Sequence, residues 1–235
     1  MSSSYGPDHW KKIIQEVEDI VVEAGRIPAE IKIIPVTKGF DVDLIRRAYR
    51  FGFDVFGENR VGEYLAKKEE LKPELVEEVE WHMIGHLQSN KVRKIVGEFD
   101  LIHSYDRQSL LKEFRKRLKR AGRRQRVLLQ VNVSGEESKY GLSPEEAPAL
   151  LEQTLKVDLL VVEGLMTMAP WTEDEAVLRK TFADCRKLRD ELEQQFNIAL
   201  PELSMGMTND YKIAIEEGAT MLRLGRALFG ERPQT

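Results

Sequence analysis

Apolar residues along the chain alternate between two patterns, a helical spacing of three and four and short unbroken runs of strand length. Across residues 8–24, Ile13, Ile14, Val17, Ile20, Val21 and Ala24 repeat at helical spacing, and Gly25 punctuates the end. IKIIPV at 31–36 then reads as a first strand, followed by a helix from Asp43 with Leu44, Ile45, Ala48 and Phe51 inward. DVFGEN is a second strand, 60–70 a helix, EWHMIGH a third strand, SNKVRKIV a short helix and DLIHSY a fourth strand. The span 108–121 is helical, with Leu111, Phe114 and Leu118 on one stripe. RVLLQVNV, rich in β-preferring residues, is the fifth strand. Ser143 is placed to cap the next helix, with Pro144 at its first position and Glu146 at the capping-box position. DLLVVEGLMTM is strand six, 173–196 the longest helix and PELSMG strand seven. A helix over 209–217 ends at Gly218, and ATMLRLG is strand eight, with only residues 226–235 beyond it.

Strict alternation of strand and helix implies parallel strands joined by right-handed crossovers. Eight such units in 235 residues predict a single TIM (β/α)8 barrel domain over 1–235. No full helix fits after strand eight, so the additional N-terminal helix is expected to cover part of the surface where an eighth outer helix would pack. A doubly wound open sheet is the competing fold. It is disfavoured because no G-x-G-x-x-G follows any strand.

Composition narrows the function classes. Lys and Arg number 36 against 40 Asp and Glu, a net charge of -4, which argues against a dedicated nucleic-acid binder. One cysteine excludes a disulfide framework and a multi-cysteine metal site. No apolar run is long enough to span a membrane, and the N-terminus lacks the apolar core of a secretion signal, so a cytoplasmic location is expected. The basic stretch RKRLKRAGRRQR at 115–126 suggests a nucleic-acid patch when read alone. It belongs to a helix whose apolar stripe faces the barrel, so it reads as that helix's solvent side. His82 and His86 share a face of strand three, but without a third ligand nearby they do not make a zinc site. Cys185 reads as a small residue of the long helix.

In a TIM barrel the chemistry gathers where strands end, on the C-terminal face. Glycine and polar residues cluster there: Lys38 and Gly39 after strand one, Glu58 and Asn59 after two, His86 after three, Asn132 after five, Met166 and Thr167 after six. Lys38 follows an apolar run, and a desolvated lysine has the lowered pKa that a Schiff-base amine needs. Its simpler reading is a strand cap paired with Glu58. After strands seven and eight, where this fold binds phosphate, stand Ser204, Gly206, Thr208, Gly225 and Arg226, with Arg223 just before. The two glycines admit close backbone approach to an anion, and a helix beginning near Thr208 would add free N–H groups. The arginines could instead pair with barrel carboxylates such as Glu58. A lysine at strand one and a phosphate cradle at strands seven and eight suggest pyridoxal 5'-phosphate (PLP).

The stretches VTKGF, FGENRVGE, WHMIGHLQSNK, IHSYDR, QVNVSGEESKYGL, GLMTM, LSMGMTND and LRLGRALFG resemble, in order and across nearly the whole chain, the PLP homeostasis proteins, relatives of the N-terminal barrel of alanine racemases. The resemblance implies that Lys38 carries PLP as a Schiff base. It implies that Ser204 and the backbone of Gly225 and Arg226 hold the phosphate, with Met205, Gly206 and Thr208 lining that pocket. Arg223 would face the pyridine nitrogen, Asn59 and His86 would line the pocket, and Asn132 and Met166 would flank the ring. A cation beside that nitrogen weakens the ring as an electron sink. Racemases of this kind draw on a second domain and a tyrosine acid, whereas only ten residues follow Gly225 here. The expectation is therefore a non-catalytic monomer or weak dimer that buffers PLP or delivers it to apo-enzymes. A small PLP-dependent racemase is the alternative, and a barrel for an ordinary sugar phosphate a third reading.

Overall fold

A computed structural model describes residues 5–71, 73–136 and 139–232. Helix α1 (Pro7–Glu23) leads into β1 (Lys32–Pro35), α2 (Val42–Phe51), β2 (Val55–Glu58), α3 (Val61–Glu70), α4 (Pro73–Glu78) and β3 (Glu80–Met83). Then come α5 (Val92–Ile95), β4 (Leu101–Tyr105), α6 (Gln108–Ala121), β5 (Gln125–Gln130), α7 (Ala147–Leu155) and β6 (Leu160–Met166). The chain continues with α8 (Glu175–Phe196), β7 (Glu202–Ser204), α9 (Tyr211–Glu216), β8 (Met221–Leu224) and α10 (Arg226–Phe229). All neighbouring strands are parallel, in the order β1-β8-β7-β6-β5-β4-β3-β2. A bridge between Val36 and Gly57 brings β1 back to β2, so the sheet closes at its C-terminal end into the expected eight-stranded barrel.

Alternation along each strand separates two cores. Phe56, Trp81, Ile102, Val127, Leu165, Leu203 and Leu222 point outward and bury themselves under the helices. Ile34, Val55, Leu101, Leu128, Met166 and Met221 form a smaller apolar cluster inside the barrel. Helix α1 packs against α9 and α10, where the eighth outer helix is reduced to four residues. Trp10 anchors it. Its ring is fully buried edge-on against Phe51, Phe53 and Phe229, and its Nε1 donates to the Leu228 carbonyl at 2.9 Å.

Three helix starts differ from the pattern reading by two residues or more. Helix α8 begins at Glu175 rather than at 173, with the Asp174 carboxylate accepting the Ala176 N–H as its N-cap. Helix α7 begins at Ala147, after a turn in which Glu146 accepts from the Ser143 N–H at 2.9 Å. Half of the capping box thus forms, but Pro148 has no N–H to bond the Pro144 carbonyl, so the first turn is not α-helical. Helix α9 begins at Tyr211 rather than Asn209, because the Asp210 carboxylate accepts the Met207 N–H at 2.5 Å and holds 208–210 as a turn. Cys185 lies in the core, where burial pushes its thiol up to about 12. The basic face of α6 is exposed, with Leu111, Phe114 and Leu118 turned to the barrel. No helix among the described residues is long and apolar enough to cross a membrane.

Candidate cofactor site

Lys38 stands just past β1, on residues fixed from both sides. The Thr37 hydroxyl donates to Glu58 Oε1 at 2.6 Å, and the Gly39 N–H donates to Glu63 Oε1 at 2.5 Å. Lys67 ties these groups together, donating to Glu58 Oε1 (2.6 Å), Glu63 Oε1 (2.9 Å) and the Thr37 carbonyl (2.8 Å). Glu58 is fully buried and points outward to α3, so its partner is Lys67 and neither Lys38 nor an arginine of β8. Burial is the main force raising its pKa, against the pull of Lys67. Lys38 itself has no hydrogen bond or ion pair to any described residue. Burial lowers its pKa, aided by the charges of Arg232 and Arg60 and opposed by Glu63 and Glu58. A held backbone thus presents an unpartnered amine that is easier than usual to deprotonate.

On the neighbouring loops two buried polar atoms lack partners among the described residues: Asn59 Oδ1 after β2 and His86 Nδ1 after β3. His86 stacks on Tyr140 with ring centroids 3.8 Å apart, and its pKa is lowered by burial and by Arg107, with Asp106 opposing. The two loops interlock, since a Cβ at Gly85 would lie 2.2 Å from the Asn59 carbonyl oxygen. Asn132 is occupied in shaping the loop after β5, accepting from the Ser134 hydroxyl (2.9 Å) and donating to the Glu136 carbonyl (2.8 Å).

Opposite, the start of α10 abuts the turn after β7. Thr208 Oγ1 accepts the Ala227 N–H at 3.1 Å, which leaves the threonine proton free to donate. The N–H groups of Gly225 and Arg226 have no acceptor among the described residues. Val36 donates to the Leu224 carbonyl at 2.9 Å, so this cradle lies directly beside the strand that carries Lys38. The Arg226 guanidinium turns away, over the exposed Trp171 ring at 5.6 Å. Gly206, at φ +96°, serves packing: a Cβ there would meet Ala214 at 2.8 Å and Leu222 at 3.0 Å.

Three further residues named from the sequence lie deeper than the rim. Met205 is fully buried in the outer core, beneath the helices. Met166 belongs to the apolar cluster inside the barrel. Ser204 is fully buried, and its hydroxyl is already engaged by Arg223 Nη1 (2.7 Å) and His103 Nδ1 (2.8 Å). Arg223 also donates to the carbonyls of Ser204 (2.7 Å) and Thr167 (2.9 Å). Burial draws its pKa down to about 10, which still leaves a cation at neutral pH. Residue patterns had not singled out His103, Lys67 or Thr208's bond to α10. The position of His103, inward on β4 by strand parity, was the available signal for the first.

The family model for the alanine racemase N-terminal domain matches residues 19–233. The pyridoxal phosphate homeostasis protein of Aquifex aeolicus (strain VF5) is 44% identical over 96% of this chain and 97% of its own. PipY of Synechococcus elongatus PCC7942, solved with PLP bound, has 36% identity and a TM-score of 0.81, covering 91% of this chain and 100% of that one. An alanine racemase of Clostridium difficile 630 shares the barrel at 15% identity, with a TM-score of 0.71 over 94% of this chain and 57% of its own. Order of strands, closure of the barrel and identity along nearly the full length agree: this chain belongs to the pyridoxal phosphate homeostasis proteins, within the alanine racemase N-terminal domain family.

Proposed function

We propose that this chain, as one barrel domain in the cytoplasm, holds PLP on Lys38 and buffers or hands on the cofactor without turning over a substrate. The observation that carries the reading is Lys38: an unpartnered, partly desolvated amine on a fixed backbone, beside a set of free donors. The PLP-bound relative and the names of the close relatives support it.

The residues present fit the cofactor. Thr208 Oγ1 and the N–H groups of Gly225 and Arg226 suit the phosphate, which needs converging donors and no nearby unpaired carboxylate. The orphaned Asn59 Oδ1 and His86 Nδ1 are acceptors or donors awaiting a polar ligand. Arg223 would face the ring nitrogen and, as a cation, would oppose its protonation. PLP would bring an aldehyde to the site, and Lys38 would offer the unprotonated amine suited to hold it. The chain's own part is to keep that amine free, anchor the phosphate and withhold a proton from the ring.

Racemisation needs a second acid or base opposite the lysine. Tyr64, Tyr105 and Tyr211 are buried among the helices, and Tyr49 bonds Glu78. Tyr140 lies near the mouth but is stacked on His86. Titration of PLP into the protein, followed in the visible region, should saturate at one equivalent, and Lys38→Ala should abolish the band. In deuterated water with alanine, the loaded protein should exchange the α-proton no faster than free PLP. No band in the parent protein defeats the binding reading, and fast exchange lost in Lys38→Ala defeats the non-catalytic one.

A further inference from the structure

A continuous line of hydrogen bonds crosses the barrel interior beneath the site. It runs from Arg223 Nη1 to Ser204 Oγ (2.7 Å), from Ser204 Oγ to His103 Nδ1 (2.8 Å), from His103 Nε2 to His82 Nδ1 (3.0 Å) and from His82 Nε2 to Glu80 Oε2 (3.3 Å). Ser204, His82 and His103 are wholly buried, whereas Glu80 opens to solvent at the opposite end of the barrel, beside Lys32 (2.9 Å) and Arg126 (3.5 Å). With both buried imidazoles neutral, only one arrangement of protons satisfies every link. A guanidinium only donates, and an ionised carboxylate only accepts. Glu80 therefore takes the His82 Nε2 proton, which makes Nδ1 of a neutral His82 an acceptor. His103 must then donate from Nε2 and accept at Nδ1, so the serine proton points to His103 and the serine lone pair receives Arg223. The reverse order would set a bare His82 nitrogen against the carboxylate.

We propose that Glu80, His82, His103 and Ser204 form a one-directional chain of positioning residues that holds the Arg223 guanidinium under the cofactor pocket, with Ser204 committed to this chain rather than to the phosphate cradle. The assignment of Arg223 to the ring nitrogen rests on the functional reading above, but the chain is a property of the protein alone. Burial supports it, because both imidazoles are held below their ordinary pKa and so stay neutral. The guanidinium has three further fixed points in the carbonyls of Ser204 and Thr167 and the charge of Asp210, so the chain sets its final orientation instead of supplying its only hold.

The test uses full-length, PLP-free protein with 15N-labelled histidine and arginine. Two-bond nitrogen–proton spectra at pH 7 should show His82 and His103 neutral and protonated on Nε2 alone, with slowly exchanging Arg223 Nη protons. In Ser204→Ala, His103 should leave that single tautomer, and Arg223 proton exchange should speed up by about tenfold or more, the loss of one buried bond to a charged group. Ser204→Thr, which keeps the hydroxyl, should restore both signals. A charged or Nδ1-protonated ring in the parent protein overturns the chain. So does a Ser204→Ala protein with unchanged His103 and Arg223 signals whose PLP affinity falls tenfold, the result expected of a phosphate ligand. Because the spectra need no cofactor, a parent protein that fails to bind PLP would count against the functional reading and not against the chain.

Discussion

Lys38 makes no ion pair with the described residues because the carboxylates nearest it are held by other groups. The one carboxylate that could have neutralised it from β2, Glu58, is turned outward and taken by Lys67 and Thr37. A spacing argument could see that Lys38 and Glu58 end adjacent strands, but not that strand parity sends the glutamate to the helical layer. The same parity places His82 and His103 inside the barrel, where neither can readily take a proton. Their folded pKa values are depressed, while the unfolded chain protonates them near the ordinary imidazole value. The unfolded state thus binds more protons as pH falls through about 6.5, and stability drops. Unfolding free energies from urea titrations at pH 7 to 5 should decline, by at most about 1.4 kcal/mol per pH unit for each histidine. A flat profile across that window would contradict their burial as neutral groups.

Among the elements, those with long periodic signals were the most legible. The helix 108–121 has the bounds its apolar stripe predicts, and β5 (Gln125–Gln130) takes in RVLLQ of the run RVLLQVNV, whose last three residues lie beyond it. Short segments with competing turn chemistry were not. Pro148 delays α7 and Asp210 delays α9, and each effect depends on one hydrogen bond that a periodicity count does not weigh. The proposed phosphate cradle was legible as a place, from glycine and hydroxyl residues after strands seven and eight. Which hydroxyl is available there was not, since only the fold shows Ser204 bonded to Arg223 and His103 and Thr208 beside α10. Helix α1 is the element that compensates for the four-residue α10. Trp10→Ala removes a fully buried indole and its bond to Leu228, and should cost about 3–5 kcal/mol in urea unfolding. A cost below about 1 kcal/mol would show that α1 is not the cover of that face.

At the scale of the molecule, the barrel sorts its side chains into three zones. Outward residues make the helical core, and a small apolar plug with a polar chain fills the interior. The C-terminal rim collects groups whose hydrogen-bonding capacity is left over. Lys38 from strand one meets Thr208, Gly225 and Arg226 from the far end of the sequence only because β1 pairs with β8. The most direct measurement treats PLP-loaded protein with borohydride and maps its peptides. The account predicts that the visible band disappears and that one pyridoxyl group is fixed on the peptide containing Lys38. A label on another lysine, or none at all, would contradict it.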